Sequence, residues 1–402
     1  MKPCILLLFL ALLLTSCNNA TKVVPVIDID HPEGTIDIKL SDILDDITIV
    51  PLETRQDILL SSSSRIVVSE NYILALVQNR ELHQFDKSGK YIRKLAEQGN
   101  GPREFNSILY LLIDENRNVA YYTDIKDQML IFRIDLHTGA FLTPLNTGLS
   151  SFSISSVDQD GNIFGYLSSI TISIGESNES AKDSLALVFV YDPNKESVKT
   201  VGGAHSFTST FWGQSMVSYR NKAFFINTGY SDTLFTFDGL SLVPQSVLRY
   251  TDRLTDIMSG GNYLSFSISY SGGLIISKCR TEMKRDGSTF FVSSHTINDV
   301  HVNAANQSKL IRMVTIDPLA LQLNTIDLYK EYEETNDIQI HPLPKVDGQW
   351  GSIIVEACNM VELINNALAG NALSVTQRRA LEELSTQIDE DSNPVLIIGR
   401  VK

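Results

Sequence analysis

Four segments of the chain repeat one pattern, and that repetition limits the fold more than any other feature. ELHQFDKSGKYIRKL (81–95), MLIFRIDLHTGAFLTPL (129–145), ALVFVYDPNKESVKTV (186–201) and TLFTFDGLSLVPQSVL (233–248) each run as an apolar or alternating strand ending in aspartate, then a short turn, then a second strand. Their aspartates, Asp86, Asp135, Asp192 and Asp238, stand 49, 57 and 46 residues apart. Aspartate suits such a turn because its carboxylate bonds the backbone two residues on, and glycine because it tolerates positive φ. Further strands precede the hairpins, among them LYLLID (109–114) and NVAYYTD (118–124). Four strands in about 50 residues is the length and content of one propeller blade.

From about residue 26 to 345 the apolar runs are short, rich in Val, Ile, Tyr, Phe and Thr, and punctuated by Asp, Asn, Gly and Ser. Between Ile36 and Lys402 six such units fit, allowing for a Ser-Asn-Glu insertion at 168–184 and a helical stretch near the end. The fifth unit runs through YLSFSISYSGGLIISKC (263–279) and STFFVSS (288–294), and the sixth starts at LIRMVTID (310–317). A ring must close, because an open sheet edge invites pairing with another chain. ITIVPLE (47–53) and NPVLIIGRVK (393–402) are the two apolar strands predicted to meet in the last blade. Between them Ser374 and Gln377 have capping-box spacing, and Ala380, Leu381, Leu384 and Ile388 follow at helix intervals. A preceding helix over 358–369 stops at Gly370. The expected fold is all-β, a six-bladed β-propeller over 36–402, with a small C-terminal helical insertion at about 358–388 before the closing strand.

The first residues stand apart from this domain. Ile5 to Leu14 is an unbroken apolar run behind a short basic start, and Leu14-Thr15-Ser16-Cys17 follows directly. A ten-residue helix rises about 15 Å, half of a bilayer core of roughly 30 Å, so the run reads as a signal-peptide core over 1–16 and not as a span. Cys17 would then be a lipidated N-terminus, followed by a linker over 17–35, and the lipid would be the only membrane attachment. Without residues 1–16 the balance is 32 basic against 47 acidic residues, because only Lys2 is lost. So acidic a surface repels polyphosphate, and no nucleic-acid partner is expected. Cys279 and Cys358 either pair in an oxidising periplasm or remain thiols. Their spacing suggests no metal site and no cofactor.

With these features in place, the chain resembles the 6-bladed β-propeller lipoproteins of Bacteroidota, which are related in shape to NHL-repeat propellers. The likeness rests on the lipobox with Cys17, LSDILDDITIVPLET (40–54), GNGPREF (99–105), YSDTLFTFD (230–238) and DEDSNPVLIIGRVK (389–402). It implies a propeller in the cell envelope and brings no catalytic residues with it.

Candidate sites are few. In LAEQGNGPREF (95–105) the lysine and Ser/Thr of a P-loop are missing, so the segment reads as the corner that takes the chain from one blade's rim to the next blade's axis. Gly99 and Gly101 are expected at positive φ, Phe105 as an anchor in the core, and Arg103 and Glu104 as candidate ligand-binding residues bordering the axial mouth. Phe211 and Trp212, beside Phe207, form a candidate aromatic platform for a sugar, with packing between blades as the competing role. His295 and His301 are six apart and could meet across a turn. The carboxylate pairs Asp45-Asp46, Glu333-Glu334 and Asp389-Glu390-Asp391 read as surface charge. Asp183-Ser184-Leu185 resembles a short O-glycosylation signal. The expected function is a non-enzymatic envelope lipoprotein that binds a glycan, a peptide or an envelope protein, anchored in the outer membrane and facing the periplasm. The alternative is an axial-site hydrolase or lyase of the NHL-propeller type.

Overall fold

The aspartate that ends each repeat makes the turn through its own side chain. Asp86 Oδ1 accepts the backbone N–H of Ser88 at 2.9 Å and of Lys90 at 3.0 Å; Asp135 Oδ1 accepts that of Thr138 at 2.7 Å. Asp192 Oδ1 takes the N–H of Asn194 at 2.9 Å, and Asp238 Oδ1 that of Leu240 at 2.8 Å. Gly89 and Gly139 supply the left-handed backbone that two of these turns need, at φ 87° and 77°.

The computed structural model describes residues 24–101, 103–149, 152–167, 185–203, 214–219, 222–227, 231–254, 260–286, 289–324 and 343–402. Its sheets are six blades. Blade 1 runs outward from the inner strand Arg65–Val68 to the outer strand Tyr91–Gln98, blade 2 from Ile108–Asp114 to Phe141–Asn146, and blade 3 from Phe152–Val157 to Ser197–Gly203. Blade 4 runs from Gln214–Tyr219 to Leu242–Arg249, and blade 5 from Gly261–Tyr270 to Ser308–Ile316. Blade 6 joins Lys345–Asp347, Trp350–Val355 and Val395–Val401 to an outer strand from the N-terminal region, Leu44–Pro51.

A hydrophobic core lies between each pair of neighbours, including blades 6 and 1. The strands are apolar on both faces because each belongs to two cores. Leu111 packs toward blade 1 and Leu112 toward blade 3; on the paired strand Tyr122 and Tyr121 divide in the same way. The chain is therefore a closed six-bladed β-propeller. The two strands expected to close it do pair, with Leu396 opposite Val50 and Ile397 opposite Ile49.

Two boundaries differ from the sequence reading. LIRMVTID belongs to blade 5 as its outer strand, and blade 6 begins at Lys345. The 14-residue strands Gly273–Asp286 and Thr289–Val302 lengthen blade 5 beyond the repeat and shift the count. Residues of the expected linker, and those just after its boundary at 35, also form strands. Val26–Asp28 pairs in parallel with blade 4's outer strand, and Thr35–Lys39 with that of blade 5. Residues 26–51 thus run as a belt around blades 4, 5 and 6. It is pinned by ion pairs of Asp28 with Arg249 at 2.8 Å, Asp30 with Lys278 at 2.5 Å and Asp37 with Arg312 at 2.6 Å.

After a short turn of helix α1 (Leu40–Ile43) in the belt, the helical insertion consists of α2 (Ala357–Ala369), closed at Gly370, and α3 (Val375–Ser385). The capping box is made: Gln377 N donates to Ser374 Oγ at 3.3 Å and Ser374 N to Gln377 Oε1 at 2.9 Å. Met360, Ile364, Leu381 and Leu384 bury in the core between blades 5 and 6, so the apolar stripes are spent at home. Cys279 is a buried free thiol in blade 5 and Cys358 an exposed one on α2.

Candidate functional site

The disc has two faces. One carries the crossovers between blades and the turns between second and third strands; the other carries the remaining hairpin turns. On the crossover face blades 5, 6 and 1 enclose a pocket of about 450 Å³. Its chemistry comes from the inner strand of blade 5, where serine alternates with apolar residues in LSFSIS (264–269). Leu264 and Ile268 are fully buried, while a register shift between Phe266 and Ile268 breaks the alternation and lets Ser265, Phe266 and Ser267 all line the pocket. Ser277 and Thr296 of the same blade, Ser62, Ser64 and Arg65 before and in blade 1, and Lys345 and Ser352 of blade 6 complete the polar wall.

Behind that wall Asp299 is 1 % exposed. Ser277 Oγ donates to Asp299 Oδ1 at 2.5 Å, Ser267 Oγ lies 3.4 Å from the same oxygen, and the two serine oxygens touch each other. Cys279 Sγ sits 3.4 Å from Ser265 Oγ, and burial pushes its thiol pKa up, which keeps it in its unreactive form. At the lip, Ser62 N donates to the carboxylate of Glu356, the residue that precedes α2, so the helical insertion is tied to the pocket. Ser62 Oγ itself is buried without a partner.

A smaller cavity of about 240 Å³ opens on the other face, lined by Asp114, Glu115, Ser156, Asp158, Ser218 and Gln349. Blades 3 and 6 stand opposite one another and both contribute, so it lies across the axis. Two of its carboxylates are committed to turns: Asp114 accepts from Arg117 N at 3.1 Å and Nη1 at 3.0 Å, and Asp158 from Asn162 N at 2.8 Å and Nδ2 at 2.9 Å. Burial holds the Glu115 carboxyl above its usual range, with Arg400 acting against it. Nearby, Lys87 Nζ stands 3.0 Å from the centroid of the Trp350 ring and donates to Ser69 O at 2.6 Å.

The residues singled out from sequence fall elsewhere. Glu104–Phe105 pairs in parallel with the outer strand of blade 1, which sets Glu104 on the rim and not at the axial mouth; a crossover leaves from the outer strand, and the Arg-Glu pair sits in its first half. Glu104 Oε2 accepts Gly101 N at 2.6 Å, so the carboxylate is folded into its own loop, while Arg103 is exposed. Neither Gly99 nor Gly101 has positive φ. A Cβ on Gly99 would stand 2.0 Å from Glu104 Oε2, so a larger residue there would push the Glu104 side chain out of its present fold. Phe105 is fully buried between blades 1 and 2, as an anchor should be. His295 and His301 share one strand and do not converge. Cys17, Phe211 and Trp212 lie outside the described residues. The serine pocket escaped the sequence reading, although SSSSR (61–65) and the Ser alternation at 265–269 were its signals.

Residues 24–400 match the family described as Domain of unknown function (DUF4934). The chain belongs to this DUF4934 family. Among solved structures, this DUF4934 chain is similar to a Bacteroides fragilis protein described as a "Putative exported protein", with a TM-score of 0.57 and 15% identity over 94% of this chain and 99% of that one. That likeness concerns the fold. The WD40 repeats of RRP9 align over 89% of this DUF4934 chain and 99% of theirs at 9% identity, with a TM-score of 0.41 that carries no argument. No curated protein matches.

Proposed function

We propose that this protein is an exported, lipid-anchored propeller of the cell envelope that holds a small polar ligand in the crossover-face pocket without transforming it. The observation that carries the reading is the convergence of hydroxyl side chains from blades 5, 6 and 1 around one pocket of about 450 Å³. That volume lies within the roughly 300–1,000 Å³ of ordinary small-molecule sites. The described lining offers hydroxyls, an aromatic ring and two cations. A carboxylate is a weak base for activating serine, so Asp299 behind Ser277 suits holding better than attack. Export and the lipid anchor are supported by the Leu-Thr-Ser-Cys ending at Cys17, and export also fits the likeness to a protein described as exported. Outer-membrane attachment facing the periplasm completes the reading.

Full-length protein incubated with a small-molecule extract of the cell envelope should retain a ligand mass in native mass spectrometry. A pocket-filling Ser265→Trp variant with an unchanged melting temperature should lose it. Absence of a retained mass, or retention by the variant, rejects the pocket. Cys17→Ser should release the protein from membranes, and a variant that stays bound rejects the anchor.

A further inference from the structure

We infer that the pocket's ligand is a polyhydroxylated, sugar-like molecule whose hydroxyls donate to the serine wall of blade 5; this rests on the binding reading above. In its ionised form, on which the inference depends, the Asp299 carboxylate only accepts hydrogen bonds. Asp299, buried behind the wall, takes the proton of Ser277 at 2.5 Å, and Ser267 has either Asp299, at 3.4 Å, or the touching Ser277 oxygen as its acceptor. In both cases the two serine protons stay inside the trio. Ser267 and Ser277, which both line the pocket, therefore present lone pairs to whatever enters. That wall needs a ligand that donates.

The rest of the pocket needs the opposite. Lys345 and Arg65, from blades 6 and 1, already donate to Ile66 O at 3.5 Å and Leu109 O at 2.6 Å, and whatever N–H groups they turn to the pocket are donors only. A phosphate or carboxylate group satisfies them and then meets serine lone pairs with no proton to give. An ammonium group satisfies the serines and is repelled by the cations. A ring of hydroxyls donates on one side and accepts on the other. Phe266 adds an apolar surface to the same lining, with its other side packed on the core between blades 4 and 5. The C–H face of a sugar ring fits such a surface, and a pocket that pairs an aromatic with a few fixed polar groups sets ligand orientation.

The test uses the full-length protein in detergent, an array of neutral mono- to tetrasaccharides, and calorimetric titration with inorganic phosphate and triglycine. A neutral saccharide should bind saturably, and Ser267→Ala should weaken it about tenfold, the loss expected for one acceptor facing a buried donor. Asp299→Asn keeps one accepting oxygen and turns the other into an N–H; with the N–H against Ser277 a serine proton is turned toward the pocket, which should weaken the saccharide while strengthening phosphate. If Asp299→Asn does not fold, Ser267→Ala with an unchanged melting temperature decides alone. Saccharide binding indifferent to Ser267→Ala overturns the inference. So does phosphate or triglycine binding without any saccharide, which leaves the pocket reading standing. Should none of the probes bind, the inference fails, and whether the envelope ligand is still retained tells whether the pocket reading fails with it.

Discussion

Lys87 illustrates how a single residue can carry opposed contributions. Burial pushes its pKa down to about 8 from 10.5, while the Trp350 ring and the Ser69 carbonyl hold its charged form. Below pH 8 the ammonium is charged in both folded and unfolded chains, and the desolvation cost is fully present. Between about pH 8 and 10.5 the folded protein releases a proton that the unfolded chain keeps, so stability rises with pH through that window. The ceiling is about 3 kcal/mol, reduced by solvent screening. Lys87→Met keeps the stem over Trp350 and removes the titration. Urea unfolding at pH 7.5 and pH 9.5 should therefore show the wild type gaining on the variant at the higher pH, by roughly 1 kcal/mol or more. A gap that does not move with pH contradicts this account. The residues of the GNGPREF corner teach a related lesson. Turn chemistry is legible from Gly and Pro, but the close approach of the folded-back Glu104 carboxylate to Gly99 is a contact that spacing does not reveal.

At the scale of elements, the joint between the chain's two ends is carried beyond the paired closing strands by one side chain. Asn393, 2 % exposed, accepts Leu60 N at 2.9 Å and donates to Glu53 O at 2.9 Å and Ile58 O at 3.2 Å, while its own N–H reaches Thr54 Oγ1 at 2.8 Å. It replaces a ladder where the loop between blades 6 and 1 has none. Asn393→Ala leaves buried backbone groups unpaired, each costing about 1–3 kcal/mol, so a loss of at least about 3 kcal/mol is expected in equilibrium denaturation. Asn393→Asp should be no milder, because it removes both donors and buries a charge. A loss under about 1 kcal/mol for the alanine variant would show that water replaces the amide. Strand pairs and helices were readable because their signals are local: Asp86 and its counterparts bond within four residues, and Ser374 caps Gln377 three residues on. The belt was not, because Val26–Asp28 and Thr35–Lys39 pair with strands more than two hundred residues away and carry no turn signal of their own. The pocket was missed for the same reason: a serine on an inner strand gains meaning only when the ring sets Ser265, Ser64 and Ser352 side by side.

For the whole molecule, closure turns six sheets into one cooperative body. Val395–Val401 supplies Val395 and Ile397 to the core between blades 5 and 6, and Leu396 and Ile398 to the core between blades 6 and 1. All four are fully buried. At about 1.5–3 kcal/mol for each buried aliphatic side chain, removing the strand forfeits roughly 6–12 kcal/mol, as large as the whole stability of a typical domain. It also bares the edges of Trp350–Val355 and Leu44–Pro51, which the strand joins. Deleting residues 395–402 should therefore abolish the cooperative calorimetric transition and yield a chain that aggregates. A blade stable on its own predicts something different: the deletion would then remove one shoulder and leave a main transition near the wild-type temperature. The interlocked cores argue against that outcome, since each blade buries its two faces only against neighbours, and losing one seam exposes a face on both sides of it.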